Sequence, residues 1–275
     1  MPELPEVETV VRGLRRALLG ATIDGVDIRH PGILRSAPAA NFLAVEGSRV
    51  RNVDRAGRFI LVDLARGAAT LHLMLHLGMT GQLLVVEEAA PWAKHTHAVF
   101  QLRDGRQLRF IDPRRFGRLD IVTEGSLPER LRRLGIPRGQ EPLTVAPDDF
   151  VALFRKRKGP LKNLLLNQAL LRGLGNIYAD ESLFRAGLDP RAHHVSAPRL
   201  RRLRTAVRHV LRSAIRAGGS SISDYVASDG TRGWFQLRHQ VYGRTGLPCR
   251  RCRTPVRRIV LAGRSAHFCP SCQSR

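Results

Sequence analysis

Four cysteines, all in the last 27 residues, constrain this chain more than anything else in it. They stand as Cys249-x2-Cys252, then sixteen residues, then Cys269-x2-Cys272. Each pair can bend its chain so that both sulfurs reach one tetrahedral ion. Four thiolates are the ligand set of a structural zinc, and they leave no open position for a substrate. Two disulfides are the competing reading, but those belong to oxidising compartments. This chain opens with acids where a signal peptide carries bases, and no apolar run follows. The spacer reads as two strands turning at Ala262-Gly263-Arg264-Ser265. The expectation is a C-terminal four-cysteine zinc ribbon holding one Zn2+ on Cys249, Cys252, Cys269 and Cys272.

Charge says what such a ribbon faces. Lys+Arg number 46 against 23 Asp+Glu, a net charge of +23. A field of one sign this large attracts a polyanion, and nucleic acid is the first candidate; ribosome association or plain cationic solubility is the bland alternative. From Gly230 onward there are ten arginines and no Asp or Glu. The ribbon thus has a cationic tip, with Arg264 placed to enter a DNA groove. Only four lysines occur, and Lys156, Lys158 and Lys162 fall within seven residues; ammonium groups there serve as point charges for a phosphate backbone. No run of 18 or more apolar residues implies a membrane span. The expectation is a soluble cytoplasmic protein, associated with the nucleoid, with no membrane partner.

The periodicity divides the chain. Val7, Val10, Val11, Leu14 and Leu18 recur at helical spacing over residues 4–20, with Gly20 where a helix ends. Short strand-like runs follow at 22–28, 49–55, 58–64, 70–77, 81–87, 97–111 and 118–122, with Asp104-Gly105 as a hairpin turn. Many short strands with turns between them indicate a sandwich or barrel. From 148 onward the pattern is helical, including PLKNLLLNQALL and NIYADESLFRAG. Between two of these helices, Gly173 and Gly175 allow close backbone approach, and Asn176 reads as an N-cap. A helix N-terminus of this kind can bind phosphate or be a plain turn. The boundaries read as 1–125 for a β-rich domain, 126–147 for a linker, 148–230 for a helical domain and 231–275 for the zinc finger. The fold class is α+β, multidomain.

Several stretches together carry a specific resemblance: PELPEVE at the start, HLGMTG at 76–81, DPRRFG at 112–117, GLGNIYADESLF at 173–184, SDG at 228–230, QVYGR at 240–244, and the cysteine ribbon. In this order, over essentially the whole chain, they resemble the bacterial formamidopyrimidine-DNA glycosylases, which are 8-oxoguanine DNA glycosylases and AP lyases. The sister family, endonuclease VIII, shares the architecture but usually opens PEGPE. The resemblance implies an N-terminal β-sandwich flanked by helices, a helix–two-turn–helix domain with a lesion loop, and the zinc finger. It implies a monomer acting on duplex DNA that contains oxidised bases or abasic sites.

The resemblance also gives the opening residues a purpose. With Met1 removed, Pro2 becomes a secondary amine with an unperturbed pKa of roughly 7.7–8.0, against roughly 10.4 for lysine. It stands at the positive end of a helix, which disfavours its protonated form. By the match, Pro2 attacks C1′ of the damaged nucleoside, and Glu3 is the acid/base at the sugar ring oxygen, with Glu6 in support. Periodicity alone would read Pro2 and Glu3 as helix-starting residues. Met79, Arg114 and Phe116 align with the residues that fill the gap left by an extruded nucleotide. His95, Arg114, Lys158, Asn176 and Tyr242 align with DNA-backbone or binding positions, residues 218–233 with the loop over the extruded purine, and Arg264 with the arginine of the elimination steps. Two positions depart from the family. Arg58 stands where a lysine associated with lesion contact and β-elimination is usual, and a guanidinium is a poor proton donor. Thr96 stands where Asp is common. The alternatives are an endonuclease VIII-like enzyme for oxidised pyrimidines and a non-catalytic damaged-DNA-binding protein, the latter supported by Arg58.

Overall fold

The computed structural model describes all residues except 36–37, 134–138, 156, 222–225 and 275. The chain divides into two compact units, 1–134 with 217–234, and 135–216 with 235–275. No described helix is long and apolar enough to cross a membrane.

In the first unit, α1 (Leu4–Leu18) buries Leu4, Val7, Val10, Val11, Leu14 and Leu18 along one stripe, as its spacing requires. Pro5 sits in the first turn, where a missing N–H costs nothing. Among the described residues, eight strands then form two antiparallel sheets. One has the order β1 (Ile23–Ile28), β6 (Thr96–Leu102), β7 (Arg106–Ile111), β5 (Gln82–Glu87). The other runs β2 (Arg49–Ala56), β3 (Phe59–Arg66), β4 (Ala69–His76), β8 (Arg118–Thr123). Alternation drives the sandwich: Ile60, Val62 and Leu64 from β3 enter one core with Leu73 and Leu75 from β4, Phe100 from β6, Phe110 from β7 and the α1 stripe. The expected hairpin is present, with Asp104 and Gly105 between β6 and β7. After β8 a short α2 (Leu127–Arg133) follows; residues 134–138 of the expected linker lie outside the described residues.

The second unit holds α3 (Pro147–Arg155), α4 (Leu161–Leu166), α5 (Asn176–Ala186) and α6 (Ala197–Arg216), then the two-stranded ribbon β9 (Arg257–Leu261) and β10 (Arg264–Phe268). Two expectations need correction. The stretch expected as one helix through Leu171 stops at Leu166, because the Asn167 side chain accepts the Ala169 N–H at 2.9 Å and so favours a turn. The N-cap of α5 is Gly175, with Asn176 already its first helical residue. The ribbon turns at Ala262-Gly263, both at positive φ, and Arg264 opens β10.

Candidate active site and nucleic-acid interface

At the start of the chain Pro2 is buried, and Glu3 and Glu6 are 4% and 2% exposed. Glu6 Oε2 accepts the Glu3 backbone N–H at 2.9 Å, inside a capping box that fixes both carboxylates at the mouth of α1. The other Glu6 oxygen accepts the Ser220 N–H at 2.7 Å. Gly219 passes so close that a Cβ there would meet Glu6 Oε1 at 2.8 Å. Ser220 pairs with Trp234, so the base of the 218–233 loop closes on itself and hangs from Glu6; residues 222–225 lie outside the described residues. The terminal amine, here carried by Met1, is held below its ordinary value. Burial is the main cause; Glu3 and Glu6 pull it up, and Arg58 and Arg114 push it down.

Arg58 follows Gly57 in the turn between β2 and β3, with Nη1 3.6 Å from the Met1 sulfur. Beneath it, Arg55 bonds Glu8 at 3.0 Å and the Gly57 carbonyl at 3.0 Å, bracing that turn on α1. The structure thus gathers Pro2, Glu3, Glu6 and Arg58 in one place.

Two loops of the same unit present the residues expected to form a wedge. Met79 and Phe116 are large apolar side chains left 39% and 47% exposed, and the Arg114 guanidinium lies 4.8 Å from the Phe116 ring centroid. Buried Asp112 ties the loops together, accepting the Thr80 hydroxyl, the Gly117 N–H at 2.6 Å and the Arg114 N–H at 3.3 Å. Gly78 makes the approach possible: a Cβ there would stand 2.5 Å from the Phe116 carbonyl carbon. DPRRFG and HLGMTG stand out in the sequence, yet neither motif by itself assigns Asp112 or Thr80 a task; an acid before a Pro at the end of a strand was the available signal. His95 is half-buried at φ 69°, beside buried His97 at 6.3 Å between ring centroids. Thr96 turns inward, its hydroxyl bonding the Ala93 carbonyl at 2.7 Å.

In the second unit the lysine cluster splits. Lys158 is exposed and Lys156 lies outside the described residues. Lys162 is fully buried and cannot serve a phosphate: its ammonium bonds Asp180 at 2.6 Å and the Ser265 carbonyl. Asp180 also accepts the His267 N–H at 2.9 Å. Its neighbour Glu181 accepts the N–H groups of Gln240, Val241 and Tyr242, each at about 2.9 Å. Burial raises the Glu181 pKa against those three bonds. One dipeptide of α5 therefore holds both the ribbon and the Tyr242 turn. Asn176 Nδ2 donates to Ser265 Oγ at 3.2 Å, next to exposed Arg264. The structure brings Asn176 and the Arg264 hairpin together; neither Asp180 nor Glu181 stands out in the sequence, because the turn and ribbon N–H groups they hold are 59 to 87 residues away.

The four sulfurs of Cys249, Cys252, Cys269 and Cys272 lie within 4.8 Å of one another. Two sulfur pairs stand at 4.0 and 3.4 Å, bracketing the ~3.8 Å edge of a tetrahedron with Zn–S near 2.3 Å. Four thiols with no other metal-binding cluster among the described residues fit one structural zinc.

A β-sandwich led by a buried N-terminal start, a helical unit and a thiolate ribbon define a multidomain zinc protein of the DNA-binding class. Known proteins agree. Residues 1–119 match the Formamidopyrimidine-DNA glycosylase N-terminal domain, 139–226 the Formamidopyrimidine-DNA glycosylase H2TH domain, and 246–275 the zinc finger found in FPG and IleRS. The Formamidopyrimidine-DNA glycosylase of Solibacter usitatus is 47% identical over 100% of both chains. That of Thermus thermophilus is 49% identical over 99% of this chain and 98% of its own. The crystal structure of the Thermus thermophilus MutM (Fpg) protein superposes with TM-score 0.84 at 46% identity, covering 99% of this chain and 98% of that one. A Lactococcus lactis Fpg in complex with abasic-site DNA gives 0.89 at 32% identity over 99% and 100%. The chain belongs to the formamidopyrimidine-DNA glycosylase family.

Proposed function

We propose that this protein is a base-excision repair glycosylase that removes oxidised purines from duplex DNA and then cleaves the abasic site as a lyase. Family membership supports the glycosylase activity, and Lactococcus lactis relatives at 32% identity are recorded with Fapy-dG DNA and with abasic-site DNA. The observation that supports the mechanism is buried Pro2 beside two buried carboxylates, with the Met1 amine that precedes it held below its ordinary value.

In the mature chain the Pro2 nitrogen attacks C1′ and the base departs with the glycosidic electron pair. Glu3 protonates the ring oxygen as the sugar opens, and an iminium joins Pro2 to C1′. Loss of the 2′ proton then expels the 3′ phosphate, and a second elimination expels the 5′ phosphate. Arg58 stays protonated throughout; it favours the neutral amine and attracts phosphate, and it is no proton carrier. Met79, Arg114 and Phe116 fill the vacated stack, while His95, Lys158, Asn176, Tyr242 and Arg264 hold the backbone. The zinc shapes the ribbon and takes no part in the chemistry.

A second reading has one observation in its favour: the wild-type Lactococcus lactis Fpg, 30% identical, is recorded with oxidised-pyrimidine DNA. Single-turnover excision from 8-oxoguanine:C and thymine-glycol duplexes tests the choice. Faster release of 8-oxoguanine is expected; preferred release of thymine glycol would move the protein to pyrimidine lesions.

A further inference from the structure

Glycine inside a helix is disfavoured against alanine unless a neighbour needs the space. Gly13 is the only glycine within α1, and the structure shows what occupies the space it leaves. A Cβ there would stand 2.0 Å from Ser228 Oγ and 3.3 Å from Ser228 Cβ. Ser228 is 5% exposed, and its carbonyl accepts the Val85 N–H of β5 at 3.1 Å. The SDG stretch is therefore seated on α1 and β5 at once.

What sits in that seat is a short, self-bonded turn. The Ala227 N–H donates to the Thr231 carbonyl at 2.8 Å, and the Gly230 N–H to the Ala227 carbonyl at 2.9 Å. Asp229 accepts the Thr231 N–H at 3.0 Å and the Thr231 hydroxyl at 2.7 Å. The hydroxyl first, then the N–H, and Arg16 of α1 last, hold the Asp229 carboxyl below its ordinary value. Glu6 and Gly13 are seven residues apart in α1, which places them two turns apart on one face. Glu6 holds the near end of the 218–233 loop through Gly219 and Ser220. Gly13 receives the far end.

The near end hangs from the carboxylate that also accepts the Glu3 N–H, so the loop leaves α1 beside the chain's reactive start. Gly13 is ten residues beyond Glu3, about 15 Å along the helix axis, too far to touch the amine. We propose that Gly13 is a specificity-determining position: the room it leaves for Ser228 sets how the 218–233 loop stands beside the departing base, and so which bases are excised. The inference rests on the Pro2 glycosylase reading above. An abasic site offers the loop no base, so its cleavage is indifferent to the seat.

Single-turnover excision from an 8-oxoguanine:C duplex, and strand cleavage of an abasic-site duplex, test this on the processed, zinc-loaded full chain. In Gly13→Ala the new methyl displaces Ser228; turning the hydroxyl aside does not relieve it, because the Ser228 Cβ is in the way too. Excision should slow by about tenfold, a modest misplacement of the loop, while abasic-site cleavage keeps its wild-type rate. Alanine favours the helix, so the melting temperature should not fall. Adding Ser228→Gly leaves the nearest atom at that position, its backbone nitrogen, 4.0 Å from the methyl, and should restore excision. Unchanged excision in Gly13→Ala, both reactions slowed alike, or no recovery in the double variant would overturn the proposal. A wild-type chain inactive on both duplexes would overturn the function beneath it, and the proposal with it.

Discussion

Arg58 is one of two positions where the resemblance leads one to expect another residue, a lysine, and its place beside the chain's start gives the difference a consequence. The guanidinium is one of the charges that hold the Met1 amine below its ordinary value, and in the processed chain its charge is expected to act on the Pro2 amine in the same direction. Arg58→Gln removes that push, so the amine pKa rises and less of it is neutral at a given pH. The acid limb of the pH–rate profile for excision should move to higher pH; a limb that stays put or moves down would remove Arg58 from the account. His76 offers a second titration. Its pKa falls from 6.5 to about 4 in the fold, so the neutral ring stabilises the native state above about pH 6.5. As pH drops towards 4 the unfolded chain takes up a proton that the fold resists, and stability declines, by up to about 3 kcal/mol for this group. His239, held to about 4 by burial, adds a similar decline in the other unit. His76→Gln should flatten the first unit's loss of denaturation midpoint between pH 7 and pH 4.5; equal losses in variant and wild type would contradict this. At this scale the motif residues were legible because their types are rare and ordered. The anchoring role of Glu6 was not, since Ser220 is 214 positions away.

Elements were legible where one face is buried. The α1 stripe and the alternation of β3 follow from burial of every third or fourth, or every second, residue. By contrast α4 runs only six residues, too short for its periodicity to mark an end, and an Asn side chain decides it. Burial of Lys162 was equally hidden, because helix-to-ribbon packing turned an expected phosphate ligand into a structural one. That packing makes a strong prediction. Asp180→Asn leaves the Lys162 ammonium buried without its counter-charge, at a cost of about 3–5 kcal/mol. The second unit should melt at clearly lower denaturant, and adding Lys162→Met should recover part of the loss; an unchanged midpoint in Asp180→Asn would show that the pair holds nothing.

For the molecule as a whole, the net charge of +23 and the zinc ribbon act on the same partner. Metal binding and ribbon folding are linked, so chelating the zinc should weaken duplex affinity and reduce its dependence on salt, as fewer phosphates are neutralised. Affinity and salt slope identical before and after chelation would take the ribbon out of the interface. The order of strands, helices and ribbon was readable because each leaves its own period or spacing. The pairing of strands within each sheet was not, since contacts between distant segments leave no local trace.

The central claim is that the processed chain attacks deoxyribose with its own Pro2 nitrogen. Borohydride reduction of the protein on an abasic-site duplex, followed by peptide mass mapping of a sample shown to lack Met1, tests it most directly. A reduced sugar adduct on the N-terminal peptide, at Pro2, is the predicted result. No adduct, or an adduct on a lysine such as Lys158, would contradict it.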